Sequence, residues 1–296
     1  MYKWRVKKLE RGVSLENFLY KQVGNWSHKQ IKRAIDHKRV FVNGRNIFVA
    51  KWNLKPNDLV LFVPTSQEKE KPLSRYQFVE VLYEDSYLLA ANKPPFVDYE
   101  AYTQTVKNYL KRQTKGQGYP YVGQVHRLDK ETSGVMLFTK KKIANTLLDQ
   151  FRAHKIKKFY LALVVGQVQK EQGIVTKAIE KGEFGEGKKV RVVSKGLGKE
   201  AHTHYRVVER YRNATLLRVE IKTGRTHQIR IHMSDLGFPI VGDKLYGGEK
   251  GLEFRRQVLH AERVDFVHPV TGKKIKVMAP LPKDVEGLID QLRMDV

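Results

Sequence analysis

The 296-residue sequence predicts an α+β fold in two modules of unequal size. Three observations predict it. Strand-like segments follow one another across short gaps, with few of the strand–helix–strand repeats that build a doubly wound sheet. Helical apolar stripes recur only in a few places between them. A polar stretch, PTSQEKEKPLSR (Pro64–Arg75), carries prolines and no periodic apolar residues, and reads as a linker. The expected layout is a small α+β module at 1–63, a linker at 64–75 and a larger module at 76–296. The larger module is expected to hold a mixed, mostly antiparallel sheet.

In the first module, Leu15, Phe18, Leu19 and Val23 fall on one helical face, and Gly24 stops that helix. Ser27 and Gln30 form a capping box that opens a second helix. Its apolar face is Ile31, Ala34 and Ile35; its other face carries His28, Lys29, Lys32, Arg33 and Lys38. Val40 and Val42 alternate into Asn43-Gly44, a two-residue hairpin turn that leads to Arg45. Pro56-Asn57 turns the chain into a last strand, Leu59–Val63.

In the second module, strands are expected at Phe78–Leu82, Leu88–Ala91, Val135–Thr139, Phe159–Val165, Lys189–Val193, Ala201–Val208 and Leu216–Ile221. Helices are expected at Thr105–Arg112 and Ile143–Phe151, and from near Thr226, where Ile229, Met233 and Leu236 make a buried stripe. Arg230 sits one residue off that stripe, at a boundary where a guanidinium reaches inward. Gly237 and Pro239 end this helix.

Charge and composition narrow the function. Lys plus Arg number 56 against 31 Asp plus Glu, a net charge of +25. Such a surplus draws polyanions, nucleic acid first. Residues 1–63 hold 14 Lys and Arg against 4 acids, a surplus of +10 in about a fifth of the chain. A basic helix followed by a hairpin presents a compact cationic face to phosphates. The absence of cysteine excludes disulfides, zinc fingers, iron–sulfur clusters and thiol nucleophiles. The histidines make no metal-binding pattern, so no metal is expected. The longest apolar runs fall far short of the roughly 20 residues that span a bilayer, and MYKWRVKKLE has no apolar signal core. The chain is expected to be cytoplasmic, with no membrane partner.

Two motif sets carry resemblances. The order of helix, capped basic helix and V-x-V-N-G over Ser14–Arg45 resembles the alpha-L RNA-binding domain of a ribosomal small-subunit protein and of many RNA-modifying enzymes. That likeness implies RNA contacts from Lys29, Lys32, Arg33, Lys38, Arg39 and Arg45. In the second module, HRLDKETSG (His126–Gly134), KFYLALVVG (Lys158–Gly166), GKEAHTHYRVVE (Gly198–Glu209), TGRTHQIRIHMSDLGFPIVGDKLYGG (Thr223–Gly248) and LHAERVDFVHPVTGKKIKVMAPLP (Leu259–Pro282) follow in order. Together they resemble the RluA-type pseudouridine synthases, over essentially the whole module.

The resemblance implies a pseudouridine-synthase-like domain that isomerises uridine within RNA, using one aspartate and no cofactor. By motif, that aspartate is Asp129. Cleavage of a glycosidic bond develops positive charge on the sugar, which a carboxylate attacks or stabilises. The likeness further implies that Arg230 pairs with Asp129 and orients it. Tyr160 stacks on the target base and passes a proton at carbon 5. Arg127 helps hold the nucleotide flipped from its stack, and Leu259 forms the pocket wall. His126 and Arg225, inside the same motifs, are expected to bind substrate. Ribosomal RNA of the large subunit is the favoured substrate, with transfer RNA as the other class, and the chain is expected to act as a monomer. One departure stands out. After Asn92-Lys93-Pro94-Pro95 the family usually has Gly and an apolar run, whereas this chain has Phe96–Tyr102. That change bears on substrate choice. Two other readings have distinct signatures. An RNA-binding or ribosome-assembly factor would work without catalysis, and a glycosidase would release free uracil.

Overall fold

The computed structural model describes residues 2–23, 26–37, 39–63, 78–113, 121–184, 188–194, 196–248 and 252–294. The expected linker, Gly24 and Lys38 lie outside the described residues, as does the side chain of Lys29. The chain forms two compact units, Met1–Leu73 and Ser74–Val296.

In the first unit, β1 (Tyr2–Arg5), α1 (Leu15–Val23), α2 (His28–Asp36), β2 (Val40–Val42), β3 (Arg45–Asn46) and β4 (Leu59–Phe62) follow in order. The four strands form one antiparallel sheet in the order β1-β4-β2-β3. The capping box is present: Gln30 N donates to Ser27 Oγ at 3.3 Å, and Ser27 N donates to Gln30 Oε1 at 2.8 Å. Asn43 and Gly44 adopt φ of 52° and 78°, the left-handed pair that a two-residue hairpin turn requires. Leu15, Phe18 and Leu19 of α1 pack on Ile31, Ala34 and Ile35 of α2, over Val40, Val60 and Phe62 of the sheet. Lys32, Arg33 and Arg45 remain exposed, and Arg39 is half-buried.

The second unit contains β5 (Glu80–Glu84), β6 (Leu88–Lys93), α3 (Tyr99–Gln113), β7 (Gly123–Gln124), β8 (Ser133–Thr139), α4 (Thr146–Arg152), β9 (Lys157–Val165), β10 (Gln172–Val175), β11 (Ala178–Phe184), β12 (Lys188–Val193), β13 (Thr203–Arg210), β14 (Ala214–Ile221), α5 (Gln228–Asp235), β15 (Leu259–Val267), β16 (Lys274–Met278) and α6 (Lys283–Met294). Among the described residues, the main sheet runs β10-β13-β14-β9-β15-β8-β6-β5, with β16 on β15 and β7 on β8. The β8–β15 pairing is parallel, and the other pairings described are antiparallel. This is the mixed, mostly antiparallel sheet that the sequence predicts. β11 and β12 form a separate two-stranded ribbon.

The sheet is covered on both faces, which is why its central strands read as unbroken apolar runs. Along β8, Val135 and Leu137 pack toward Leu147 of α4, while Met136 and Phe138 pack toward Tyr102 and Val106 of α3. Along β9, Tyr160 and Ala162 face Ile229 and Met233 of α5, while Leu163 packs toward Val285 and Ile289 of α6. Burial of each such side chain contributes about 1.5–3 kcal/mol.

Three expectations shift. The helix expected at Thr105–Arg112 begins at Tyr99, because Tyr102 extends the buried stripe of Val106 and Leu110 one turn earlier. Leu236 is not on the buried stripe of α5; it follows the helix as its C-cap residue and is 38% exposed. The helix expected at Ile143–Phe151 starts as a short 3₁₀ turn at Lys142–Asn145 and becomes α-helical at Thr146.

Candidate active site

Asp129 lies on the loop that leads into β8. Thr132 N donates to its carbonyl at 3.1 Å and closes the turn. The loop then enters the sheet at Gly134, whose φ is 114°. A Cβ there would stand 2.2 Å from the carbonyl oxygen of Ala261, so only glycine lets β15 pass this close to the loop.

Four buried side chains grip four consecutive residues after Asp129. Lys93 Nζ donates to the Lys130 carbonyl at 3.1 Å, and also to the Pro94 and Val97 carbonyls at 2.8 and 2.9 Å. Arg256 Nη1 donates to the Glu131 carbonyl at 3.2 Å, and its other edge forms a two-bond pair with Asp284 at 2.7 and 2.9 Å. Gln257 Nε2 donates to Thr132 Oγ1 at 3.1 Å. His260 Nδ1 and Ser133 Oγ share a hydrogen bond of 3.0 Å. The loop is thus preorganised by groups from β6, the segment before β15, and β15 itself. Burial pushes Lys93 down to about 7, and the charge of Asp129 opposes that fall. Burial likewise holds His260 down at about 4.

The side chain of Asp129 is 19% exposed, and Oδ2 accepts a hydrogen bond from Arg230 Nη1 at 3.3 Å. Arg230 is clamped from behind: Nε and Nη2 donate to the buried Asp243 at 2.6 and 2.8 Å. Burial works against the Arg230 charge, but the bonds to Asp243 outweigh it and raise its pKa. The Tyr246 ring lies 5.1 Å below the guanidinium. Its hydroxyl bonds His227 Nδ1 at 2.9 Å, and His227 Nε2 stands 3.9 Å from Asp129 Oδ2. His227 adopts φ 54°, in the left-handed region, just before α5.

Tyr160 and Leu259 are buried in the cluster that also contains Leu128, next to Asp129 in the chain. Burial, and then Asp129, push the Tyr160 phenol above its ordinary value, so its hydroxyl keeps its proton at neutral pH. The structure therefore brings Asp129, Arg230, Tyr160 and Leu259 together.

The other expected site residues are placed differently. Arg127 is exposed and lies 5.0 Å over the ring of Tyr99, at the start of α3. Arg225 Nε donates to the Glu200 carbonyl at 2.9 Å. His126 Nε2 accepts from Leu137 N at 2.9 Å, and its ring stacks on Phe151 at 5.1 Å. Burial, and then Lys158, hold His126 at about 3, so it is a neutral ring bound to β8. Sequence reasoning missed Asp243, Lys93, Arg256 and Tyr246. One signal was available: an arginine near a buried helix face needs an acid, and the same motif holds two, Asp235 and Asp243, of which Asp243 takes that place.

A carboxylate whose side chain is 19% exposed, held by a guanidinium that lies over a tyrosine ring, is equipped to act on a sugar carbon. Comparison with known proteins shows the family. Residues 87–235 match the family described as RNA pseudouridylate synthase. The uncharacterized RNA pseudouridine synthase YlyB of Bacillus subtilis is 33% identical over 293 residues, 96% of this chain and 95% of that protein. The ribosomal large subunit pseudouridine synthase D of Xylella fastidiosa is 39% identical over 236 residues, 73% of this chain and 70% of that protein. In fold, the structure of human RNA pseudouridylate synthase domain containing 4 superposes with a TM-score of 0.63 at 24% identity, covering 72% of this chain and 93% of that one. With the family's own region spanning half of the sequence and a relative aligned along nearly all of it, this chain belongs to the RNA pseudouridylate synthase family and is a pseudouridine synthase.

Proposed function

We propose that Asp129 is the catalytic group, and that the chain isomerises uridines of large-subunit ribosomal RNA without a cofactor, as a cytoplasmic monomer. The bond between C1′ and N1 breaks, the base turns, and C5 bonds to C1′. C5 gives up its proton and N1 gains one, so the product has the mass of the substrate. Asp129 acts at the sugar, by attack on C1′ or by removal of a ribose proton. Arg230 holds it in place. Tyr160 stacks on the base, and Leu259 closes the wall. Arg127, exposed at the rim, holds the flipped nucleotide.

The observation that carries this reading is the fixed contact of Asp129 with Arg230, itself locked by Asp243, beside Tyr160. His126 serves the site by positioning β8 through Leu137. The first unit acts as an alpha-L RNA-binding module, with Lys32, Arg33, Arg39 and Arg45 against phosphates. The choice of RNA is supported by the relative named for the large ribosomal subunit.

The test is to map pseudouridines in total RNA with and without the chain. Loss of a large-subunit site on deletion, restored by the wild-type chain and not by Asp129→Asn, is expected. A lost site in transfer RNA alone would move the substrate. A site restored by Asp129→Asn would remove Asp129 from the chemistry.

A further inference from the structure

Lys158 carries a charge that its surroundings do not answer. It lies on β9 two residues before Tyr160, so the two side chains leave the same face of the strand, with Cα atoms about 7 Å apart. Only 7% of the residue is exposed. Nζ has three donors. It donates to the Thr223 carbonyl at 3.3 Å and lies 5.9 Å from the Phe151 ring centre.

Among the described residues, the charged group acting on Lys158 is the guanidinium of Arg225, a like charge. His126, from the loop before β8, is neutral. The strand partners are Ile221 on β14 and Val264 on β15, both apolar. Buried ammonium groups are normally paired, because an uncompensated one costs several kcal/mol. Among the described residues, no carboxylate is ion-paired with either Lys158 or Arg225, and the two like charges act on each other. Arg225 is held through Nε by the Glu200 carbonyl, and the terminal nitrogens of a guanidinium are suited to pairing with a phosphate.

We propose that Lys158 and Arg225 form a subsite for a phosphodiester group of the RNA substrate, one nucleotide step from the base stacked on Tyr160. This rests on the reading of Tyr160 as the base platform. It adds a residue, Lys158, that positions the RNA strand rather than the reacting base.

A pH signature follows. Burial, and then Arg225, push Lys158 down to about 8. A bound phosphodiester favours the charged amine and raises its pKa in the complex. RNA affinity therefore holds below about pH 8 and falls as the pH rises above it, because the free protein must then take up a proton to bind.

The experiment measures binding of a uridine-containing RNA oligonucleotide to the full chain carrying Asp129→Asn, alone and combined with Lys158→Met or Lys158→Arg. Lys158→Met is expected to weaken binding roughly tenfold and to lower the slope of log affinity against log salt by about 0.7, one phosphate contact. It should also remove the part of the fall in affinity between neutral pH and about pH 9 that the lysine causes. Lys158→Arg should keep the slope and lose the pH dependence. Lys158→Met removes a buried unpaired charge, so its unfolding temperature at neutral pH should match or exceed the parent's.

Equal affinity, salt slope and pH dependence for Lys158→Met and its parent would overturn the subsite. So would competition by inorganic phosphate as strong as that by RNA, which would make free phosphate the ligand. Failure of the wild-type chain to form pseudouridine in any RNA is a separate result and would remove the functional reading itself.

Discussion

Arg230 touches Asp129 with one nitrogen at 3.3 Å, while Asp243 holds its other edge with two bonds of 2.6 and 2.8 Å. The orientation of Asp129 therefore depends on a second carboxylate that is fully buried. Asp243→Asn keeps the shape and removes the charge. Breaking a buried pair from one side costs about 3–5 kcal/mol, and a small misplacement of a reacting group costs about 100-fold in rate. Urea unfolding and single-turnover assays should show both losses. A variant with wild-type stability and rate would show that Asp243 does not set the geometry.

The opposite is expected of Asp129. It is partly exposed and its bond to Arg230 is long, so Asp129→Asn should change stability by less than about 1 kcal/mol. Paired urea unfolding curves for the two variants give the contrast. Equal destabilisation by both would mean that Asp129 is part of the structural clamp.

Gly134 is where the loop that carries Asp129 meets β15. An added Cβ would meet the Ala261 carbonyl at 2.2 Å, and the backbone there has φ 114°. Gly134→Ala should destabilise by at least about 2 kcal/mol through strain and overpacking, with loss of activity at temperatures where the chain remains folded. Thermal melts beside activity assays check this. A fully active, equally stable Gly134→Ala would show that the β8–β15 crossing is looser than the structure has it.

Lys93 links the same loop to pH. Its folded pKa, about 7, is below the ordinary lysine value of 10.5. Between those values the unfolded chain binds more protons than the folded one, so stability rises with pH across that window. Below about 7 both states are protonated and the burden of the buried charge is fully present. The rise is at most about 1.4 kcal/mol per pH unit. Unfolding free energies measured from neutral to alkaline pH should climb for the wild type relative to Lys93→Met. Parallel curves would place the Lys93 pKa near its ordinary value.

Much of this architecture could be read from residue order. The central strands, the capping box at Ser27 and the Asn43-Gly44 hairpin follow from local rules, and the structure has them. The structure also has the association of Asp129 with Arg230, 101 residues apart, but no local rule predicts it and only the family resemblance pointed to it. What was hidden depends on tertiary pairing. Lys93 and Arg256 look like ordinary surface cations until the fold buries them under carbonyls from another segment. The segment Phe96–Tyr102 read as a departure bearing on substrate choice, with its conformation open. In the structure Phe96 takes the left-handed φ of 65° at the position where the family usually has glycine, and Tyr99 starts α3 and carries Arg127. His126 shows the opposite limit: its place in the motif suggested substrate, while its ring is bound to the backbone of β8.

The central claim is that Asp129 performs the chemistry in a site whose binding surfaces stand without it. Its most direct test follows the C5 proton. RNA carrying tritium at uridine C5 is incubated with wild-type chain and with Asp129→Asn, and release to water is measured beside RNA binding. Release by the wild type, none above background by Asp129→Asn, and equal RNA affinity for both is the expected result. Tritium release by Asp129→Asn at the wild-type rate would contradict it.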